Sequence, residues 1–138
     1  MSLTSRISIA ATAAIVLSLI ALPATPALAS GQSCIDRNPG TEICVYVGGS
    51  GLHINYMKGW ARNNYSYTIT GLHIELEGPP GLIKNCASFS LRSGTNSANC
   101  EWSPNKNVTS GRYCATLWQS NGNGGYLDLG TPCVDVHS

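Results

Sequence analysis

Six cysteines, at 34, 44, 86, 100, 114 and 133, narrow the folds open to this chain. They pair off around turn signals. Cys34 and Cys44 centre on Pro39 in Asn38-Pro39-Gly40, and Cys86 and Cys100 centre on Ser93, beside Gly94. Cys114 and Cys133 centre between Asn123 and Gly124 in the run NGNGG. Facing residues of a hairpin are equidistant from its turn, so each consecutive pair is placed to staple a hairpin of its own. The symmetry predicts the disulfides Cys34–Cys44, Cys86–Cys100 and Cys114–Cys133. The competing connectivity contains an inter-sheet bridge such as Cys44–Cys114, of the immunoglobulin kind. Metal ligation by these cysteines is disfavoured, because the chain has no C-x-x-C pair and no close Cys/His grouping.

Disulfides need an oxidising compartment, and the N-terminus reads as a route to one. Residues 1–6 carry one charge, Arg6. Ile7 to Leu22 is uncharged and apolar, and Pro23 and Pro26 break the run before Ala27-Leu28-Ala29. This pattern predicts a secretory signal peptide over 1–29, cleaved after Ala29. The apolar run is short of the ~20 residues a membrane span needs. Gly31-Gln32-Ser33 before Cys34 lacks the triplet of lipoprotein processing. The expected product is one secreted, extracellular domain over 30–138, with no membrane anchor after cleavage. Arg6 leaves with the leader, so seven Lys and Arg remain against seven Asp and Glu. A neutral domain lacks the positive field of a nucleic-acid partner.

Period-two alternation dominates the rest. Strands are expected over 42–47, 52–57, 66–78, 86–91, 99–102, 112–118 and 126–136. In 52–57, Leu52, Ile54 and Tyr56 are expected to face His53, Asn55 and Met57 across the strand. In 72–77, Leu72, Ile74 and Leu76 oppose His73, Glu75 and Glu77. Gly78-Pro79-Pro80-Gly81 then stops the strand. Residues 86–91 and 99–102 are expected to form a hairpin, and 112–118 and 126–136 another, with Trp118 facing Leu129. No segment of 30–138 shows helical periodicity. The fold class is therefore all-β: an antiparallel sandwich, immunoglobulin-like, or a small barrel, of about seven strands with disulfide staples.

Chemical signals are sparse. His73 and Glu75 share a strand face and could form an acid–base pair, with Arg112 as a third group for a small hydrolase or nuclease. The simpler reading is a solvated sheet face. GGSGL, 48–52, lacks the Gly-x-Ser-x-Gly pattern of a serine hydrolase. Asn64-Tyr65-Ser66 and Asn107-Val108-Thr109 match glycosylation sequons. Trp60, Trp102 and Trp118 are expected mainly in the core, with Trp60 the one nearest solvent. Trp60, Tyr65 and Tyr67, in KGWARNNYSY, are the candidate ligand contacts. Arg92-Ser93, at the tip of the loop closed by Cys86 and Cys100, is the candidate protease-inhibitor loop. No catalytic residue, cofactor site or metal site is assigned.

The stretches GLHIELEGPPGLIKNC, SGRYCATLW and TPCVDVHS resemble the small secreted β proteins of filamentous actinobacteria. They share a strand ending in a Gly-Pro turn, a YCA-x-x-W strand and a near-terminal PC strand. That resemblance implies a secreted sandwich and carries no activity and no functional residue. RYCA also echoes the immunoglobulin strand of the second cysteine, although Arg112 occupies the place of the tyrosine two residues before it. The reading that follows is a secreted, non-catalytic β domain that binds an extracellular protein, glycan or cell-wall ligand. The alternatives are a protease inhibitor acting through Arg92-Ser93, or a small secreted hydrolase or nuclease.

Overall fold

The structure, a computed structural model, describes residues 30–37 and 40–138. The expected leader and the turn residues Asn38 and Pro39 lie outside the described residues. Eleven strands follow in order: β1 (Gly31–Asp36), β2 (Thr41–Ser50), β3 (His53–Asn63), β4 (Ile69–Gly78), β5 (Gly81–Asn85), β6 (Phe89–Leu91), β7 (Cys100–Trp102), β8 (Lys106–Asn107), β9 (Gly111–Ser120), β10 (Tyr126–Gly130) and β11 (Cys133–Val136). No helix occurs among the described residues.

The strands form two antiparallel sheets packed as a sandwich. Sheet A has the order β1-β2-β3-β7, with β8 also on β3. Sheet B has the order β10-β9-β4-β5, with β11 on β9 and β6 on β4. Alternation decides which residues meet between them. Sheet A turns Ile43, Val45, Val47, Ile54, Met57 and Ala61 inward, and sheet B turns Leu72, Ile74, Leu76, Tyr113, Ala115 and Leu117 inward. Each of these is almost fully buried, and a buried Leu or Ile side chain stabilises the fold by roughly 1.5–3 kcal/mol. The sheets approach closely at Gly59, where an added Cβ would lie 2.8 Å from the Cβ of Ala115 and 3.1 Å from Ile74. Tyr113 is buried, and its hydroxyl donates to the Thr109 carbonyl at 2.9 Å. A corner-type hydrogen bond of the immunoglobulin sort is thus made by the residue next to Cys114.

Two bulges shift the expected faces. Gly48 faces Tyr56 while Gly49 faces Ile54, so Asn55 is an extra residue on β3. The expected grouping of Tyr56 with Ile54 therefore fails: Met57 enters the core and Tyr56 turns outward. On β10 the register slips between Asp128 and Gly130. Trp118 consequently faces Asp128 rather than Leu129. Beyond the slip, Thr131-Pro132 separates β10 from β11, and both run along the same edge of β9.

The disulfides are Cys34–Cys44, Cys86–Cys100 and Cys114–Cys133, the pairs that the turn symmetry picks out. Two of them join directly facing residues of neighbouring strands, with Cα atoms 4.1 Å apart in each case. Cys86–Cys100 differs from expectation. Residues 86–91 and 99–102 do not pair with each other. Phe89 and Leu91 lie against Leu72 and Ile69 of β4, while Cys100 to Trp102 take the free edge of β3. The chain crosses between sheets in this loop, so the bridge is the inter-sheet tie. Cys44, the rival candidate for that role, stays within sheet A.

Candidate functional site

The outer face of sheet A carries a row of half-buried aromatic rings. The β2–β3 register sets Tyr46 opposite Lys58, Gly48 opposite Tyr56 and Cys44 opposite Trp60. The rings of Tyr46 and Tyr56 lie 5.5 Å apart, tilted by 30°. Lys58 Nζ is 5.6 Å from the centroid of Tyr46 and 5.6 Å from that of Trp60, so one cation links the rings into a row. Gly48 makes room for the tyrosines: an added Cβ would lie 3.0 Å from atoms of both. The Tyr56 phenol is raised above its ordinary value of 10.0, first by side-chain hydrogen bonding with Tyr46, then by burial and the charges of Tyr46 and Glu101. It stays a neutral donor and acceptor across the ordinary pH range. Gln32, opposite Tyr46, and Glu101, opposite Lys58, add polar groups at the rim, and the Cys34–Cys44 bridge lies on the same face beside Trp60.

Of the sequence-assigned contacts, only Trp60 belongs to this row. Tyr65 and Tyr67 stack on each other at 4.9 Å in the loop between β3 and β4. They line a separate cleft of about 230 Å³ with Arg37, Gln119 and Leu129. Sequence reasoning missed Tyr46 altogether. Its signal was present in VYVGG, where the alternation that buries Val45 and Val47 turns Tyr46 outward. The tryptophans are not core residues as expected: all three are only partly buried. Trp102 packs against the core margin, and Trp118 lies on the outer face of sheet B.

Arg92 and Ser93 are exposed, but in a tight turn. The Arg92 carbonyl accepts from the Thr95 amide at 3.2 Å and from the Thr95 hydroxyl at 2.8 Å. Gly94 N donates to the Asn63 carbonyl at 2.8 Å, and Asn63 N donates to the Thr95 carbonyl at 3.1 Å. The segment is folded back on the end of β3, with the carbonyl a protease would attack already engaged. A substrate-like loop would need it extended and free. Beside this turn, the loop closed by Cys86–Cys100 frames an open cleft of about 710 Å³ over Ile74, Phe89 and Leu91.

His73 is buried instead of solvated, and its Nε2 lies 3.6 Å from Glu75 Oε1. Arg112 does not join them. It is exposed and faces Asp135, 3.9 Å away. Thr116, not Arg112, stands opposite Glu75; four residues along β9 put Arg112 about 13 Å further on. Cys34, Glu42 and Cys44 bring potential ligand atoms within 4.8 Å of one another. Both sulfurs are spent in the disulfide, and a thiolate is the ligand form of cysteine.

No protein-family model matches the chain, and neither a curated protein nor a solved structure matches it.

Proposed function

We propose that the protein is a secreted, non-catalytic glycan-binding domain, of the exported actinobacterial kind, and that its ligand lies along Tyr46, Tyr56 and Trp60. The carrying observation is the row of half-buried rings on the outer face of sheet A, joined by Lys58 and underlaid by Gly48. A sugar ring presents an apolar C–H face and hydroxyls at its edge. Aromatic rings supply the matching apolar surface. Lys58, Gln32 and Glu101 offer hydrogen bonds at the rim. The row runs along adjacent strands of an open sheet face, which suits an extended polysaccharide better than a deep pocket would. Three disulfides support an extracellular setting, since bridges persist in oxidising compartments. No helix among the described residues is long and apolar enough to cross a membrane.

The test is co-sedimentation of the oxidised protein with insoluble cell-wall material and with chitin, cellulose and xylan. Retention by at least one material, lost in Trp60→Ala while the fold is kept, is the expected result. Retention by none, or equal retention of the variant, would sink the proposal.

A further inference from the structure

The outer face of sheet B holds a second and chemically different site. Register places His73 opposite Trp118, and Asn85 opposite Glu75, on the outward side of β4, β5 and β9. With Tyr126 of β10 these side chains enclose a cleft of about 210 Å³. Its walls are aromatic. The Tyr126 ring meets the His73 ring edge-on at 4.7 Å, and Trp118 lies beside them. Its floor is a single carboxylate held in place: Trp118 Nε1 donates to Glu75 Oε2 at 2.9 Å, and Asn85 Nδ2 donates to Glu75 Oε1 at 3.0 Å. Those donors are neutral, and no Lys or Arg pairs with Glu75 among the described residues. His73 Nε2 lies 3.6 Å from Glu75 Oε1.

The rest of the face points the same way. Glu77 follows Glu75 outward on β4, and Asp128 stands opposite Trp118. Asp128 is occupied by Gly130 N and the Thr131 hydroxyl, again neutral donors. Arg112 is matched by Asp135. The sheet therefore presents excess negative charge around an aromatic-walled cleft. Aromatic faces attract cations through their quadrupoles, and a fixed carboxylate adds a Coulomb term. We infer that this cleft binds an organic ammonium head group, with Glu75 as counter-charge and Trp118 and Tyr126 as walls. The site is independent of the glycan face, which lies on the opposite sheet.

The test is a titration of the oxidised protein with choline at about pH 8, read from Trp118 indole N–H and backbone amide shifts. The control is 3,3-dimethyl-1-butanol, which has choline's shape without its charge. Saturable millimolar binding of choline is expected, with shifts centred on β4, β9 and β10. The neutral isostere should bind at least about tenfold more weakly. Glu75→Gln, whose amide oxygen still accepts from Trp118, should lose about tenfold in affinity with the amide spectrum otherwise unchanged. Tyr126→Ala, at a ring already 56% exposed, tests the wall without threatening the fold and should also weaken binding. Equal binding of the isostere, unchanged affinity in Glu75→Gln, or no saturable binding by wild type would each overturn the inference.

Discussion

Asn63→Ala should destabilise the protein by about 4–6 kcal/mol. Asn63 ends β3 and is fully buried. Its side-chain amide donates to the Tyr67 carbonyl at 2.7 Å and to the Leu91 carbonyl at 2.9 Å, and its oxygen accepts from Tyr65 N at 2.9 Å. One side chain thereby ties together the end of β3, the Tyr65–Tyr67 loop and the strand leading into the Arg92 turn. Each hydrogen bond contributes a net ~1 kcal/mol, and the bond to Leu91 is buried, so its orphaned carbonyl adds roughly 1–3. The total is a large share of the ~5–15 kcal/mol that holds a domain folded. Asn63→Asp should be worse near neutral pH, since it sets a buried carboxylate against two carbonyl oxygens. Burial there raises the folded-state pKa above the unfolded one. The penalty is thus present at neutral pH and relieved as pH falls through the folded value. Urea unfolding of the oxidised proteins, compared at unchanged m-value, measures both. A loss below about 1 kcal/mol for Asn63→Ala would refute the clamp.

Replacing Cys86 and Cys100 together by Ala should cost about 3 kcal/mol by loop entropy at a separation of 14; differential scanning calorimetry checks it, and an unchanged Tm would contradict the tie between sheets. Gly59→Ala should cost roughly 1–3 kcal/mol through overpacking against Ala115 and Ile74, visible as a lower urea midpoint. Tyr113→Phe should cost about 1 kcal/mol for the lost bond to Thr109. Burial raises the Tyr113 phenol above 10.0, so the stability linked to it is complete below the unfolded value. It falls as pH rises through the folded one, and alkaline unfolding of wild type should be steeper than that of Tyr113→Phe.

Local signals carried much of this fold. Alternation at Leu72, Ile74 and Leu76 named one core face correctly, and turn symmetry singled out all three bridges. Neither signal contains strand partners. Symmetry about Ser93 is satisfied equally by a hairpin and by a crossover, and only the free edges of β3 and β4 separate the two. Parity fails wherever a bulge adds a residue, as at Asn55 and near Leu129. The slip at Asn55 hid half of the aromatic row: it turned Tyr56 outward beside Tyr46 and brought Met57 in. Burial of His73 was equally hidden, because its cover comes from Tyr126, more than fifty residues away along the chain.

The central claim is that the Tyr46–Tyr56–Trp60 row is the ligand face. Mapping amide and indole shifts of the oxidised protein on titration with a soluble fragment of whichever polysaccharide retains it tests this most directly. The account predicts shifts concentrated on β2 and β3 around Tyr46, Lys58 and Trp60, with the outer face of sheet B unmoved. Shifts centred on the Tyr65–Tyr67 cleft, on the cleft beside Phe89, or on sheet B would contradict it.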